Sequence, residues 1–215
     1  MTDIRVEREG RVMILTVDRP AARNALAPAT MAELDRALSD LEDGDGVGCA
    51  VITGAGDRAF IAGGDLRELE ERRDEAFARE MADSMRATLD RIAGLAIPVL
   101  AALNGAAVGG GAEVAIACDF RIAAEDAGIG FTQALLGLMP AWGGIERLAG
   151  LTGRGRALYL LTTGRVLTGC EAADWGVVEE CAPRADFARR WREVAAAVAA
   201  TPPHVLAGIK RAVEA

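Results

Sequence analysis

Histidine is almost missing from these 215 residues: His204, beside Pro202 and Pro203, is the single one. A Ser-His or Cys-His nucleophilic triad is therefore not expected, and a metal site built on several histidines is excluded. Lysine is equally scarce. Lys210 is the only one among 24 basic residues, so the other 23 are arginines; this reads as a compositional preference, not as a function. Cysteine occurs four times, as Cys49, Cys118, Cys170 and Cys181, with no CxxC pair. Their apolar or helical surroundings predict free buried thiols in a reducing cytoplasm. No signal peptide is read at the start, and no apolar run is long enough to span a bilayer. Positive charge is in deficit, with 24 basic against 32 acidic residues and a net charge of −8. That balance argues against nucleic acid and anionic membrane as main partners. It leaves room for an anion held locally by backbone amides.

What the chain does have is apolar content, 51% of its residues, and enough length for one large domain with a substantial core. The stretch from Pro98 to Asp119 concentrates the chemical signal. It reads as a buried strand over 99–103, a turn at Asn104-Gly105, the glycines Gly109, Gly110 and Gly111, then an apolar helix from about Gly110. A helix start after a glycine turn exposes unpaired N–H groups at the positive end of the helix dipole. Such a place holds an anion, or an oxygen that becomes one. Glu113 falls in the first turn of that helix. It is either an acid/base beside an oxyanion hole or a helix-start carboxylate favoured by the dipole.

Along the rest of the chain, 3–9 and 11–18 alternate around Glu9-Gly10 as a hairpin. Pro28 begins a helix with Met31, Leu34, Leu38 and Leu41 on one face. Gly44 to Gly48 is a turn and 49–53 a short buried strand. Gly54-Ala55-Gly56 mimics a dinucleotide fingerprint, but no long amphipathic helix follows it. Instead Phe60 to Gly64 form a second apolar stretch with its own glycine turn. Asp65 and Glu68 have capping-box spacing. Residues 74–94 form a helix with Phe77, Met81, Met85, Leu89 and Ile92 on one stripe. Strands are expected at 120–124 and at Val177-Val178, and an extended piece at 128–131. Helices are expected over 144–148, 154–161, 169–175, 184–199 and from Thr201 to Val213. The organising pattern is a strand, a glycine turn and a helix, used at 51–69 and again at 98–118. The two turns can converge at the carboxyl ends of parallel strands, where α/β sheets bind ligands.

Several motifs stand in one order and spacing: Arg19-Pro20 with Asn24-Ala25-Leu26; Ala59 to Leu66; Pro98, Asn104-Gly105 and Gly109 to Glu113; Cys118-Asp119; and Gly137, Pro140, Gly143-Gly144, Arg147-Leu148. Together they resemble the crotonase (enoyl-CoA hydratase/isomerase) superfamily from residue 3 to about 213. The resemblance implies an α/β fold, a crotonase-like spiral of ββα repeats over 1–182 with a short C-terminal helical part over 183–215. It implies a homotrimer or a dimer of trimers, an acyl-CoA substrate, coenzyme A present only as part of that substrate, and no prosthetic group or metal. The two backbone N–H groups that bind the thioester oxygen fall on Gly64 and Gly110. Arg23, Ala25, Ala62, Gly63, Asp65, Leu66 and Gly109 fall at the coenzyme A side, Arg23 near its phosphates and Ala62 and Leu66 against its adenine end.

Two departures shape the expected chemistry. Family hydratases use two glutamates; the first matches Glu113 and the second falls on Gln133. An amide exchanges no proton in turnover, although it can hold a water or a carboxylate by hydrogen bonds. Family decarboxylases of branched malonyl-CoA type also keep the first glutamate and lack the second. Family chains also continue in helices that roof the coenzyme A site, whereas this one stops at Ala215, inside the first of them, so either the gene is short or the pocket is more open than usual. Three readings follow. The first is an enoyl-CoA hydratase/isomerase-like enzyme with Glu113 as general acid/base, its pKa raised by apolar neighbours such as Val114 and Leu135. The second is a decarboxylase of methyl- or ethylmalonyl-CoA type substrates. The third is an acyl-CoA-binding protein with little catalysis.

Overall fold

The structure, a computed structural model, describes residues 2–42, 46–65, 67 and 74–214. Gly44, Leu66 and Glu68 lie outside the described residues. Ten strands form two sheets among the described residues. Strands β1 (Ile4–Glu9), β2 (Val12–Val17), β3 (Cys49–Gly54), β5 (Val99–Leu103), β7 (Phe120–Ala124) and β10 (Glu180–Ala182) lie side by side in that order. Strands β4 (Ala59–Ile61), β6 (Ala106–Val108), β8 (Gly128–Gly130) and β9 (Val166–Thr168) make the second sheet.

The repeat is visible in that topology. Each of β3-β4, β5-β6 and β7-β8 adds one strand to each sheet, and the next helix returns the chain. β3, β5 and β7 pair in parallel, as do β4, β6 and β8. Parallel strands need such crossovers, and strands covered on both faces read as continuous apolar runs. Val99 to Leu103 is such a run, buried at every position. The expected strand–turn–helix repetition is thus a spiral of ββα units.

The helices are α1 (Pro28–Glu42), α2 (Glu75–Gly94), α3 (Gly110–Ala117), α4 (Gly144–Thr163), α5 (Gly169–Asp174), α6 (Arg184–Ala199) and α7 (Pro203–Glu214). α2 starts where Asp74 accepts the N–H of Phe77 at 2.8 Å. Met85, Leu89 and Ile92 of its stripe are buried. α4 breaks at Gly153, whose φ of 76° and ψ of 162° separate the two helices read from the sequence. α6 lays Phe187, Trp191, Ala195 and Ala199 on the six-stranded sheet. Lys210 of α7 is nearly buried and donates to Asp119 Oδ2 at 2.8 Å. No helix among the described residues is long and apolar enough to cross a membrane.

Three expectations fail. β4, β6 and β9 are additional to the expected strands, because three residues are too few to show a period. Val177 and Val178 are not a strand: they are buried in a turn whose N–H groups both reach Ala172 O, and the last strand starts at Glu180. Finally, only Cys49 and Cys118 are free buried thiols. Cys170 and Cys181 are joined, because α5 and β10 bring their Cα atoms to 5.1 Å.

Candidate active site

Two buried asparagines set the first glycine turn. Asn24 donates to Ala55 O at 3.0 Å and Ala59 O at 2.7 Å. Asn104 donates to Gly54 O, Gly56 O and Ala59 O at 2.9, 2.8 and 3.1 Å, and accepts from Gly54 N–H. Both side chains are almost fully enclosed, so these amides replace water for a loop that has no ladder of its own. β4 therefore leaves the loop at a fixed angle, and two residues after its end the chain reaches Gly63-Gly64.

Gly63 has φ +95°, and Gly64 forms an isolated parallel bridge with Leu26. Leu26 N–H bonds Gly63 O at 2.8 Å and Asp65 N–H bonds Leu26 O at 2.9 Å. In this pattern the neighbours of Gly64 make the bonds, so its own N–H points to the other side. The second turn packs against the first at Gly63. A Cβ on Gly63 would come 3.4 Å from Gly110 N and 3.2 Å from Val108 O. Gly109, at φ +58°, donates to Gly130 O at 2.9 Å and caps α3. Gly110 is the first residue of α3, so its N–H has no intrahelical acceptor. A Cβ on Gly111 would overlap the Ile61 carbonyl; α3 can sit this close to β4 only with glycine there.

Glu113 is 2% exposed. Its Oε1 accepts two backbone N–H groups, from Trp142 and Gly144, each at 2.9 Å. Its Oε2 accepts one, from Gln133 Nε2 at 2.9 Å. Oε1 is thereby saturated and Oε2 keeps one lone pair for a proton. Burial pushes the Glu113 pKa upward and outweighs these three bonds and the Arg147 charge, which all pull it down. The turn that supplies the backbone donors is fixed by Arg147, which donates to Trp142 O at 3.0 Å and pairs with Asp90. Gly143 holds φ +94° at its apex, and a Cβ on Gly144 would meet Glu113 Cγ at 2.6 Å. Leu135 does not help bury Glu113, contrary to expectation: it is 66% exposed and lies against Gly164. Gln133 Oε1 is shielded from solvent and has no partner among the described residues.

The structure thus brings Glu113, Gln133 and the two glycine turns together. Trp142, Gly144, Asn104 and Arg147 belong to the same constellation, yet sequence reasoning does not assign them to it. The Gly143-Gly144 pair before a helix is the available signal. Of the residues expected to face coenzyme A, Arg23 and Ala25 join Gly64, Asp65, Arg19 and Arg67 around an open basin of about 780 Å³. Asp65 is tied to Arg19 at 3.1 Å. Ala62 is half-buried, Gly63 is buried, and neither they nor Gly109 line that basin.

A profile of the enoyl-CoA hydratase/isomerase family matches residues 7–215. The short-chain-enoyl-CoA hydratase of Clostridium acetobutylicum is 33% identical over 213 residues, which is 99% of this chain and 81% of that one. The crotonyl-CoA hydratase of Syntrophomonas wolfei is 38% identical over 178 residues, 83% of this chain and 68% of that one. Among solved structures, an enoyl-CoA hydratase from Bacillus anthracis superposes with a TM-score of 0.95 at 36% identity, covering 99% of this chain and 82% of that one. The ββα spiral, the paired glycine turns and these similarities lead to one conclusion: the chain belongs to the enoyl-CoA hydratase/isomerase family.

Proposed function

We propose that this enzyme hydrates an enoyl-CoA thioester, with Gly64 N–H and Gly110 N–H holding the thioester oxygen and Glu113 as the single acid/base. The observation that carries the reading is the hydrogen-bonding of Glu113: one oxygen saturated by backbone, the other with one site open, in a buried place that raises its pKa. Ionised Glu113 takes a proton from water as the oxygen adds to the β-carbon. The electron pair of the double bond moves to the thioester oxygen, where two fixed donors stabilise the enolate; one such donor is worth about 3 kcal/mol of barrier. Glu113, now neutral, returns the proton to the α-carbon. One carboxyl serves both halves because each half leaves it in the state the other needs.

Gln133 favours hydration over decarboxylation. Its N–H is committed to Glu113, and its oxygen is an unfilled acceptor. That oxygen suits the O–H of water or of a 3-hydroxyacyl product. A malonyl carboxylate would meet an amide oxygen and an anionic Glu113 instead, and Arg147, the cation in this network, is already paired. Arg23 and Arg67 beside the open basin suit the phosphates of coenzyme A, which enters as part of the substrate. The same reading includes a homotrimer or dimer of trimers, supported by the exposed Val205, Ile209 and Val213 on α7, and a cytoplasmic setting. The test is turnover of crotonyl-CoA, a 3-enoyl-CoA and methylmalonyl-CoA by the wild type and by Glu113→Gln. Turnover of crotonyl-CoA lost in the variant supports the proposal. Methylmalonyl-CoA as the preferred substrate, or turnover unaffected by Glu113→Gln, overturns it.

A further inference from the structure

We propose that Cys170 and Cys181 are a reversible thiol–disulfide modification site that ties the outer edges of the two sheets together when oxidised. β10, which carries Cys181, is the last strand of the six-stranded sheet, and β9 is the last strand of the four-stranded sheet. α5 begins at the residue after β9, and Cys170 is its second residue. The two edges share no ladder. The bond between Cys170 and Cys181 spans this gap at a Cα separation of 5.1 Å, inside the usual range for a disulfide.

The pair is built to exchange without unfolding the chain. α5 has its own support: the Thr168–Glu171 capping box closes its start, Ala172 is buried, and Val177 and Val178 both bond Ala172 O. The reduced chain therefore keeps this corner. Cys170 is exposed, so a small thiolate can reach its sulfur. Cys49 and Cys118 are buried, and burial pushes both thiols up to about 12, which removes them as competitors.

Oxidation proceeds by exchange with a low-molecular-weight disulfide. The Cys170 thiolate attacks it, forming a mixed disulfide and releasing one small thiol. The Cys181 thiolate then attacks the Cys170 sulfur, closing the protein bond and releasing the second small thiol. Two electrons pass from the protein thiols to the small disulfide, and the two protons end on the released thiols. The oxidised corner stiffens a strand that matters, because β9 pairs with β8 and Gly130 O of β8 receives the N–H of Gly109.

The test equilibrates the protein with glutathione disulfide or with dithiothreitol, counts thiols in denaturant and follows thermal unfolding. Two free thiols are expected after oxidation, Cys49 and Cys118, and four after reduction. A peptide map should show Cys170 joined to Cys181. The oxidised form should melt roughly 5–10 °C higher, from the chain entropy of an 11-residue separation in a chain this long. Cys170→Ser and Cys181→Ser should each abolish that difference. Four thiols after glutathione disulfide, a bond through Cys49 or Cys118, or equal midpoints in the two states would overturn the proposal. So would a reduced wild type that is unfolded at 25 °C by circular dichroism, since the bond would then be a condition of folding and not a switchable modification.

Discussion

Gln133 donates its Nε2–H to Oε2 of Glu113 over 2.9 Å. A neutral amide therefore occupies the position where the family resemblance implies a second carboxyl, and it feeds a hydrogen bond to the proposed acid/base without sharing its proton. Gln133→Glu should change this in a defined way. Two carboxyls at this distance cannot both ionise readily, so they share a proton and titrate as a coupled pair. Hydration of crotonyl-CoA should rise by at least about tenfold, toward the contribution expected of a positioned second acid. The pH profile should turn from one limb into a bell. Steady-state kinetics across pH would check both; an unchanged rate with a single limb would show that the second acid is not what limits turnover.

Glu113→Gln should remove most of the turnover, by about 10²–10⁴ in kcat, and should also make the protein more stable at neutral pH. The sign follows from linkage. Burial raises the Glu113 pKa in the folded chain, so the folded state binds the proton more tightly than the unfolded one. Stability is therefore undiminished below the ordinary carboxylate pKa and falls as pH rises from there through the raised value. The amide that Glu113→Gln introduces has no charge to bury, and Gln133 can reverse to present its unpartnered oxygen to it. Thermal melts should place the variant above the wild type by a few degrees at pH 8 and bring the two together near pH 4. In the wild type, kcat should rise with pH through a limb above the usual carboxylate range.

Much of this arrangement is legible in the amino-acid sequence, and what is not has physical causes. Glu113 stands out because the apolar run of Gly110–Ala117 offers a surface carboxylate no polar face, and the helix buries it. The spacing of Met31, Leu34, Leu38 and Leu41 marks α1. The donors at Trp142 and Gly144 are backbone N–H groups, which leave no side-chain signature, so only the fold shows that they reach Glu113. Asn104 reads as a turn residue in sequence; its four bonds to the 54–59 loop depend on a contact some 50 residues away. Cys170 and Cys181 meet only because β10 reaches the sheet edge.

Gly110→Ala tests the second glycine turn. An added Cβ would fall within the Trp142 ring, and Trp142 is buried, so the ring cannot swing freely into solvent. Either the start of α3 shifts, moving the Gly110 N–H, or Trp142 shifts, moving its N–H from Glu113. Both damage the chemical step more than ground-state binding. A loss of about 10²–10³ in kcat is expected, with a much smaller change in KM. A fall confined to KM would mean that Gly110 serves binding alone.

Arg23→Glu should act on binding and spare the chemistry. Arg23 is exposed beside the basin next to Gly64 and makes no ion pair among the described residues. Its φ of +53° fixes the direction in which the side chain leaves the backbone. An exposed charge pair with a phosphate is worth up to about 1 kcal/mol and is screened by salt. Replacing the cation by an anion removes that attraction and adds a repulsion. KM for a coenzyme A thioester should therefore rise by roughly fivefold to thirtyfold at low ionic strength, with kcat nearly unchanged. The gap should narrow as sodium chloride is added. A kcat effect as large as the KM effect would place Arg23 nearer the reacting thioester than this geometry does, and a KM indifferent to both charge and salt would take it out of the phosphate site.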